Sequence, residues 1–131
     1  MTKKIEAFIR EEKLDDVKNA LKEIGIVGMN VIDVRGHGRQ GGITLAGRTG
    51  TYQVDMLPRL QLNIVLSDHN LEKTIETICK SAKTGNIGDG LIFVYPVEEV
   101  IRIRTGERGQ QALMYPDDID ERRDETQVNS G

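Results

Sequence analysis

Twice along this chain the apolar residues switch from a period of two to a period near three and a half and back, which limits the fold more than any other feature. Lys4 to Arg10 alternates Ile5, Ala7 and Ile9 against Glu6, Phe8 and Arg10, which predicts a strand. From Lys13 to Ile24, Leu14, Val17, Leu21 and Ile24 recur every three or four residues and predict one helix face. Gly25 and Gly28 end that helix by supplying positive φ. Met29 to Arg35 reads as a second strand, and Leu60, Leu62, Ile64 and Leu66 mark a third. Leu71, Ile75, Ile78, Cys79 and Ala82 mark a second helix, with Ser67-Asp68 as capping residues and Cys79 expected to be buried. Leu91 to Tyr95 reads as a fourth strand and Val100 to Arg104 as a short fifth.

The order β-α-β-β-α-β predicts an α+β fold of the ferredoxin-like kind, two helices covering one face of a four-stranded antiparallel sheet. Phe8, Ile32, Val34 and Val65 fall on the other face. An apolar face of that size predicts a homo-oligomer packed sheet against sheet. Between the second and third strands, His37 to Asp55 is polar and glycine-rich and shows neither period, so it is expected to be a long functional or disordered loop. After Gln111 the chain turns acidic, and residues 114–131 are expected to form a solvated, flexible tail outside a single domain of residues 1–113.

Composition narrows the function. With 131 residues and net charge −3, the chain is one domain with no basic stripe, which argues against nucleic acid as its main partner. The βαββαβ order also occurs in RNA-binding modules, but those stack bases on aromatic side chains, and this chain has no Trp, two Phe and three Tyr. No window approaches the roughly 18 apolar residues of a membrane span, and the N-terminus lacks a secretory apolar region. The single cysteine permits no internal disulfide and fits a reducing, cytoplasmic setting. No nucleophile lies beside an evident base, and no His/Cys cluster has zinc spacing, so a binding protein is favoured over an enzyme.

Two segments carry chemistry. Thr84-Gly85-Asn86-Ile87-Gly88-Asp89-Gly90 is a glycine-rich turn whose backbone N–H groups could cradle phosphates. Ile101-Arg102-Ile103-Arg104, read as a strand, would place two guanidiniums on one face about 7 Å apart, a spacing suited to a polyphosphate. Without further context the first is most often just a tight turn before a strand, and the second reads equally as a solvated strand face.

With these segments the chain resembles the PII signal-transduction proteins, regulators of nitrogen metabolism. The resemblance covers residues 3–113 and is carried by Lys13-Leu14-Asp15-Asp16-Val17, Gly36-His37-Gly38-Arg39-Gln40, Tyr52-Gln53-Val54-Asp55-Met56-Leu57-Pro58-Arg59, the Thr84–Gly90 turn, and Val100-Ile101-Arg102-Ile103-Arg104-Thr105-Gly106-Glu107. It implies a cytoplasmic, non-catalytic homotrimer that binds ATP or ADP in the clefts between subunits. The loop at about 37–58, the T-loop, would contact protein targets such as an ammonium transporter or metabolic enzymes, the transporter recruiting the protein to a membrane. By resemblance, Gly36, Arg39, Val65, Thr84, Gly88, Asp89, Gly90, Arg102 and Arg104 contact nucleotide. Gln40 would ligate Mg²⁺, which joins ATP to 2-oxoglutarate, with Gly42 and Arg59 completing the effector site. Tyr52 aligns with a tyrosine that some members have uridylylated.

The departures shift these expectations. Leu91 stands where the family usually has a phosphate-reaching Lys, which favours ADP or AMP. Arg59 replaces a Lys, His37 an aromatic residue, and Gly50 a serine that other members phosphorylate. The competing readings are a sensor of adenylate charge or of another small carboxylate or bicarbonate, and a slow ATPase.

Overall fold

The computed structural model describes residues 1–36, 43–47, 50–54, 57–113, 116 and 118–120, with residues 36, 43–47 and 50–54 described through their backbone. Four strands, β1 (Thr2–Ile9), β2 (Asn30–Gly36), β5 (Leu57–Ser67) and β6 (Leu91–Val97), form an antiparallel sheet in the order β2-β5-β1-β6. Helices α1 (Leu14–Glu23) and α2 (Leu71–Ala82) connect β1 to β2 and β5 to β6. This is the ferredoxin-like arrangement expected from the two periodicities.

The register follows from burial. Ile5, Ala7 and Ile9 lie opposite Ile64, Leu62 and Leu60 on β5, and all six are buried with Val17, Leu21 and Ile78 of the helices. Each large apolar side chain moved into such a core contributes roughly 1.5–3 kcal/mol. A one-residue slip would turn the whole set to solvent, so the pattern fixes the pairing. α1 closes with Gly25 at φ 95, its N–H bonded to Lys22 O at 3.0 Å, and Ile26 N–H bonded to Leu21 O at 3.0 Å. That paired closure needs a left-handed residue, which glycine adopts without a Cβ clash. Gly28, expected to share this role, does not have positive φ.

The face away from the helices carries Phe8, Phe93, Ile32 and Tyr95; the Phe8 and Phe93 rings meet edge to face at 6.0 Å. Ile32 is 47% exposed and Phe93 44%, so the expected bare face exists. It is not uniformly apolar. The Gln61 side-chain amide donates to Asn63 Oδ1 at 3.0 Å, and Asn63 Nδ2 donates to Asn30 Oδ1 at 3.0 Å, laying an amide ladder across β5 and β2.

Four further expectations are corrected. The loop read as lacking strand period contains β3 (Ile43–Gly47) and β4 (Gly50–Val54), paired from Ile43 opposite Val54 to Gly47 opposite Gly50 as a separate two-stranded sheet. Their Ile-Thr-Leu and Thr-Tyr-Gln-Val runs are strand-forming, and the surrounding glycines hid them. Cys79 is exposed, because the stripe of α2 that faces the core is Thr74, Ile78 and Ala82, and Cys79 lies a further 100° round the helix. Thr74 serves as a core residue because its hydroxyl donates to Asn70 O at 2.8 Å.

The third correction is at Val100–Arg104, which is a tight reversal and not a fifth strand. Arg102 N–H donates to Glu107 O at 2.8 Å, Gly106 N–H to Arg102 O at 2.7 Å, and Ile101 bridges Arg108. The fourth is at residues 118–120, which are docked instead of solvated. Asp118 Oδ1 accepts from Val27 N–H at 3.4 Å, and Ile119 N–H donates to Gly25 O at 2.7 Å with its side chain in the core. Asp120 accepts from Ser67 N–H at 3.0 Å and from Asn70 Nδ2 at 2.6 Å. These three residues clasp the corner after α1 to the corner between β5 and α2.

Candidate functional site

Strand direction decides which candidate residues share an end of the molecule. Phe8 lies opposite Leu91 and Gly36 opposite Leu57. One end of the sheet therefore collects Arg10, the Thr84–Gly90 turn entering β6, the end of β2 at Gly36, and Arg59 near the start of β5. β6 carries the chain away from that end: Val97 lies opposite Thr2, about 20 Å further at ~3.3 Å per residue. The Arg102–Glu107 reversal follows only there.

The Thr84–Gly90 turn is organised around Asp89. Its carboxylate accepts from Thr84 N–H at 2.9 Å, Gly85 N–H at 2.9 Å, the Thr84 hydroxyl, and Arg10 Nε at 3.1 Å. Arg10 Nη2 donates to Ile87 O at 2.9 Å, and Asn86 N–H donates to Thr84 Oγ1 at 3.2 Å. The Thr84 hydroxyl, then the Thr84 and Gly85 N–H groups and the Arg10 guanidinium, hold the Asp89 carboxyl far below the usual carboxylate range, against its partial desolvation. Gly88 has φ 98 and Gly90 φ 115. A Cβ on Gly90 would stand 1.7 Å from the Phe8 carbonyl oxygen, so only glycine lets the turn enter β6 against β1. The result is a fixed turn whose one carboxylate is taken up by four donors.

A depressed folded-state pKa stabilises the fold above the unfolded aspartate value and loses that contribution as pH falls through the folded value. Wild type is therefore expected to lose stability relative to Asp89→Asn as pH drops below about 4. Urea melts of both proteins from about pH 5 to about pH 3 check this. A constant difference between them across that range would mean the turn does not hold a charged carboxylate.

The arginine pair departs from expectation. Arg102 is half-buried, Nη2 donating to Ala112 O at 3.1 Å and Nη1 lying 3.6 Å from Glu107 Oε2, whereas Arg104 is exposed on the reversal beside Ile103, itself 99% exposed. They do not share a strand face. Arg59 is half-buried on the open face, its Nη1 donating to Pro58 O at 2.9 Å. Val65 is opposite Lys4, towards the far end of the sheet from the glycine turn. Arg39, Gln40 and Gly42 lie outside the described residues, and Tyr52 is described only as a position in β4.

Sequence reasoning missed Arg10. A basic residue ending a strand is a common pattern, and only the antiparallel register of β1 with β6 brings it to the glycine turn. Asp89 was expected to touch phosphate; its bonds make it the organiser of the turn.

A family model described as nitrogen regulatory protein P-II matches residues 2–107. The chain belongs to the P-II family. Nitrogen regulatory protein P-II of Rhizobium meliloti is 54% identical over 111 residues, covering 85% of this chain and 99% of the relative. The P-II protein of Pasteurella multocida is 53% identical with the same coverage, and P-II 2 of Methanothermobacter thermautotrophicus is 53% identical over 85% of this chain and 96% of its own length. The protein is thus a P-II regulatory sensor of the nitrogen-regulation class, with the family's α+β fold. The clasp at residues 118–120 lies beyond the part that the P-II model matches. No helix among the described residues is long and apolar enough to cross a membrane.

Proposed function

We propose that this P-II protein binds adenine nucleotide between the subunits of a homotrimer and reports its occupancy through the T-loop. The observation that carries the reading is the Thr84–Gly90 turn, whose shape is locked by Asp89 and which presents Gly88 and Gly90 at the sheet end shared with Gly36 and Arg59. Backbone N–H groups in such a turn are fixed dipoles suited to phosphate. Arg102 and Arg104 follow the opposite end of β6, so a neighbouring copy is the natural source of the second half of the site. The apolar residues of the open sheet face support packing of copies there.

In this reading Gln40 would hold Mg²⁺, which would supply a hard Lewis acid for the ATP phosphates, and Gly42 and Arg59 would meet 2-oxoglutarate. A hard cation takes such oxygen donors and keeps phosphates in its shell. Targets, an ammonium transporter or metabolic enzymes, would read the loop from the cytoplasm, and Tyr52 would be its modification site. Leu91 favours a second reading, a sensor of adenylate charge: it is 65% exposed opposite Phe8 and brings no cation to the turn. A slow ATPase is disfavoured, since the Asp89 carboxylate is already engaged by four donors and is poorly placed to act as a base.

Light scattering is expected to give three times the 14.6 kDa chain mass; a monomer mass would remove the intersubunit site. Arg104→Ala is expected to weaken ATP and ADP binding by about 1.5–3 kcal/mol, the cost of a lost charge-assisted hydrogen bond. Arg102→Ala should do at least as much, because it also releases Ala112 and Glu107. Unchanged affinity in both would make the arginines a solvated surface. Leu91→Lys should raise ATP affinity roughly tenfold, about 1.4 kcal/mol, and ADP affinity less. Calorimetry of the variant reads both, and no change would mean another group meets the terminal phosphate.

A further inference from the structure

We infer that Arg10 is a positioning residue for the glycine turn, fixing the direction of the Gly88 peptide and cancelling the Asp89 charge where phosphate approaches. The inference rests on the nucleotide reading above. Arg10 follows β1 directly and is itself pinned: its backbone is extended at φ −69, ψ 143, and its carbonyl accepts from Lys13 N–H at 3.1 Å in the turn that leads into α1. From that fixed base the guanidinium makes two bonds, Nε to Asp89 Oδ1 at 3.1 Å and Nη2 to Ile87 O at 2.9 Å. The two acceptors flank Gly88. Holding the carbonyl before it and the side chain after it leaves the intervening N–H little freedom. Both side chains are mostly shielded, Arg10 19% and Asp89 25% exposed, so solvent screens the pair less than a surface pair.

The chemistry requires such a partner. A phosphate chain seated on the turn would meet the Asp89 carboxylate, and like charges at close range oppose binding. Thr84 and Gly85 satisfy the carboxylate with hydrogen bonds but add no formal charge; Arg10 adds one. A planar fork also suits two acceptors set side by side, which a lysine ammonium cannot reproduce.

The test uses the full chain as wild type, Arg10→Lys, Arg10→Ala, Asp89→Asn and the double variant Arg10→Ala/Asp89→Asn. Calorimetry with ATP and with ADP is combined with ¹H–¹⁵N spectra of the glycine amides. Arg10→Ala is expected to shift the Gly88 amide in the nucleotide-free protein and to weaken both nucleotides roughly tenfold, with partial recovery in Arg10→Lys. In the Asp89→Asn background, removing Arg10 should cost less affinity, because the charge to be cancelled is gone; an equal loss in both backgrounds would overturn the charge-cancelling role. Affinity within twofold of wild type and an unmoved Gly88 amide in Arg10→Ala would overturn the inference. If Arg10→Ala does not fold, the same two readouts in Arg10→Lys decide. Wild type that binds neither nucleotide would instead overturn the nucleotide reading, and the Gly88 amide would still report on positioning.

Discussion

Gly90→Ala is expected to destabilise the protein by about 3–5 kcal/mol and to lower Tm by roughly 10–20 °C, the largest effect of any single methyl group in the glycine turn. The new Cβ would fall 1.7 Å from the Phe8 carbonyl oxygen and 2.9 Å from the carbonyl carbon, both backbone atoms of the neighbouring strand. Neither can move without opening the β1–β6 pairing, and φ 115 is strained for any residue with a side chain. Gly85→Ala is the matched control. Its φ of 91 carries a similar backbone penalty, but nothing lies within 4 Å of the added atom. It should cost only about 1–2 kcal/mol. Melts at equal protein concentration, so that any self-association is held constant, distinguish the two. Equal losses would mean that the close approach of Gly90 to β1 does not govern the turn.

The second large effect is expected at the C-terminal clasp. Asp120 is 3% exposed and accepts from Ser67 N–H and Asn70 Nδ2. Asp120→Ala leaves two buried donors without a partner, each costing about 1–3 kcal/mol, for a total of about 2–6 kcal/mol. A denaturation midpoint gives the total, and hydrogen exchange localises it: the Ser67 amide should lose protection while that of Ile64, in mid-strand, keeps most of its own. Truncation after Leu113 should cost at least as much, because it also removes Ile119 from the core. A truncated chain as stable as wild type would show that the clasp adds nothing to the fold.

The sheet and both helices were legible in the sequence because their apolar residues serve one core. Ile5, Ala7 and Ile9 can only face the same way in a strand, and Val17 and Leu21 only in a helix. What failed was periodicity without a partner. Ile101-Arg102-Ile103-Arg104 alternates like a strand, yet no neighbouring strand pairs with it among the described residues, and Ile103 stands in solvent. Cys79 is apolar by type but sits one position past the buried stripe. The 118–120 clasp was hidden for the opposite reason: its two aspartates resemble a solvated tail until Val27, Ser67 and Asn70 are seen to receive them.

The site divides along the same line. That the Thr84–Gly90 turn would be a structured element at the entry to a strand was readable from its glycines. That Arg10 braces it was not, because the contact spans 79 positions and depends on antiparallel register. Local chemistry leaves marks in a motif, and long-range support does not.

The most direct test of the account is calorimetric titration of the wild-type protein with ATP, ADP and AMP, each with and without Mg²⁺ and 2-oxoglutarate. The account predicts saturable nucleotide binding with one site per chain. Because Leu91 brings no cation, ATP should show little or no advantage over ADP without 2-oxoglutarate and gain affinity when Mg²⁺ and 2-oxoglutarate are present. Absence of binding by all three nucleotides under every condition would contradict it.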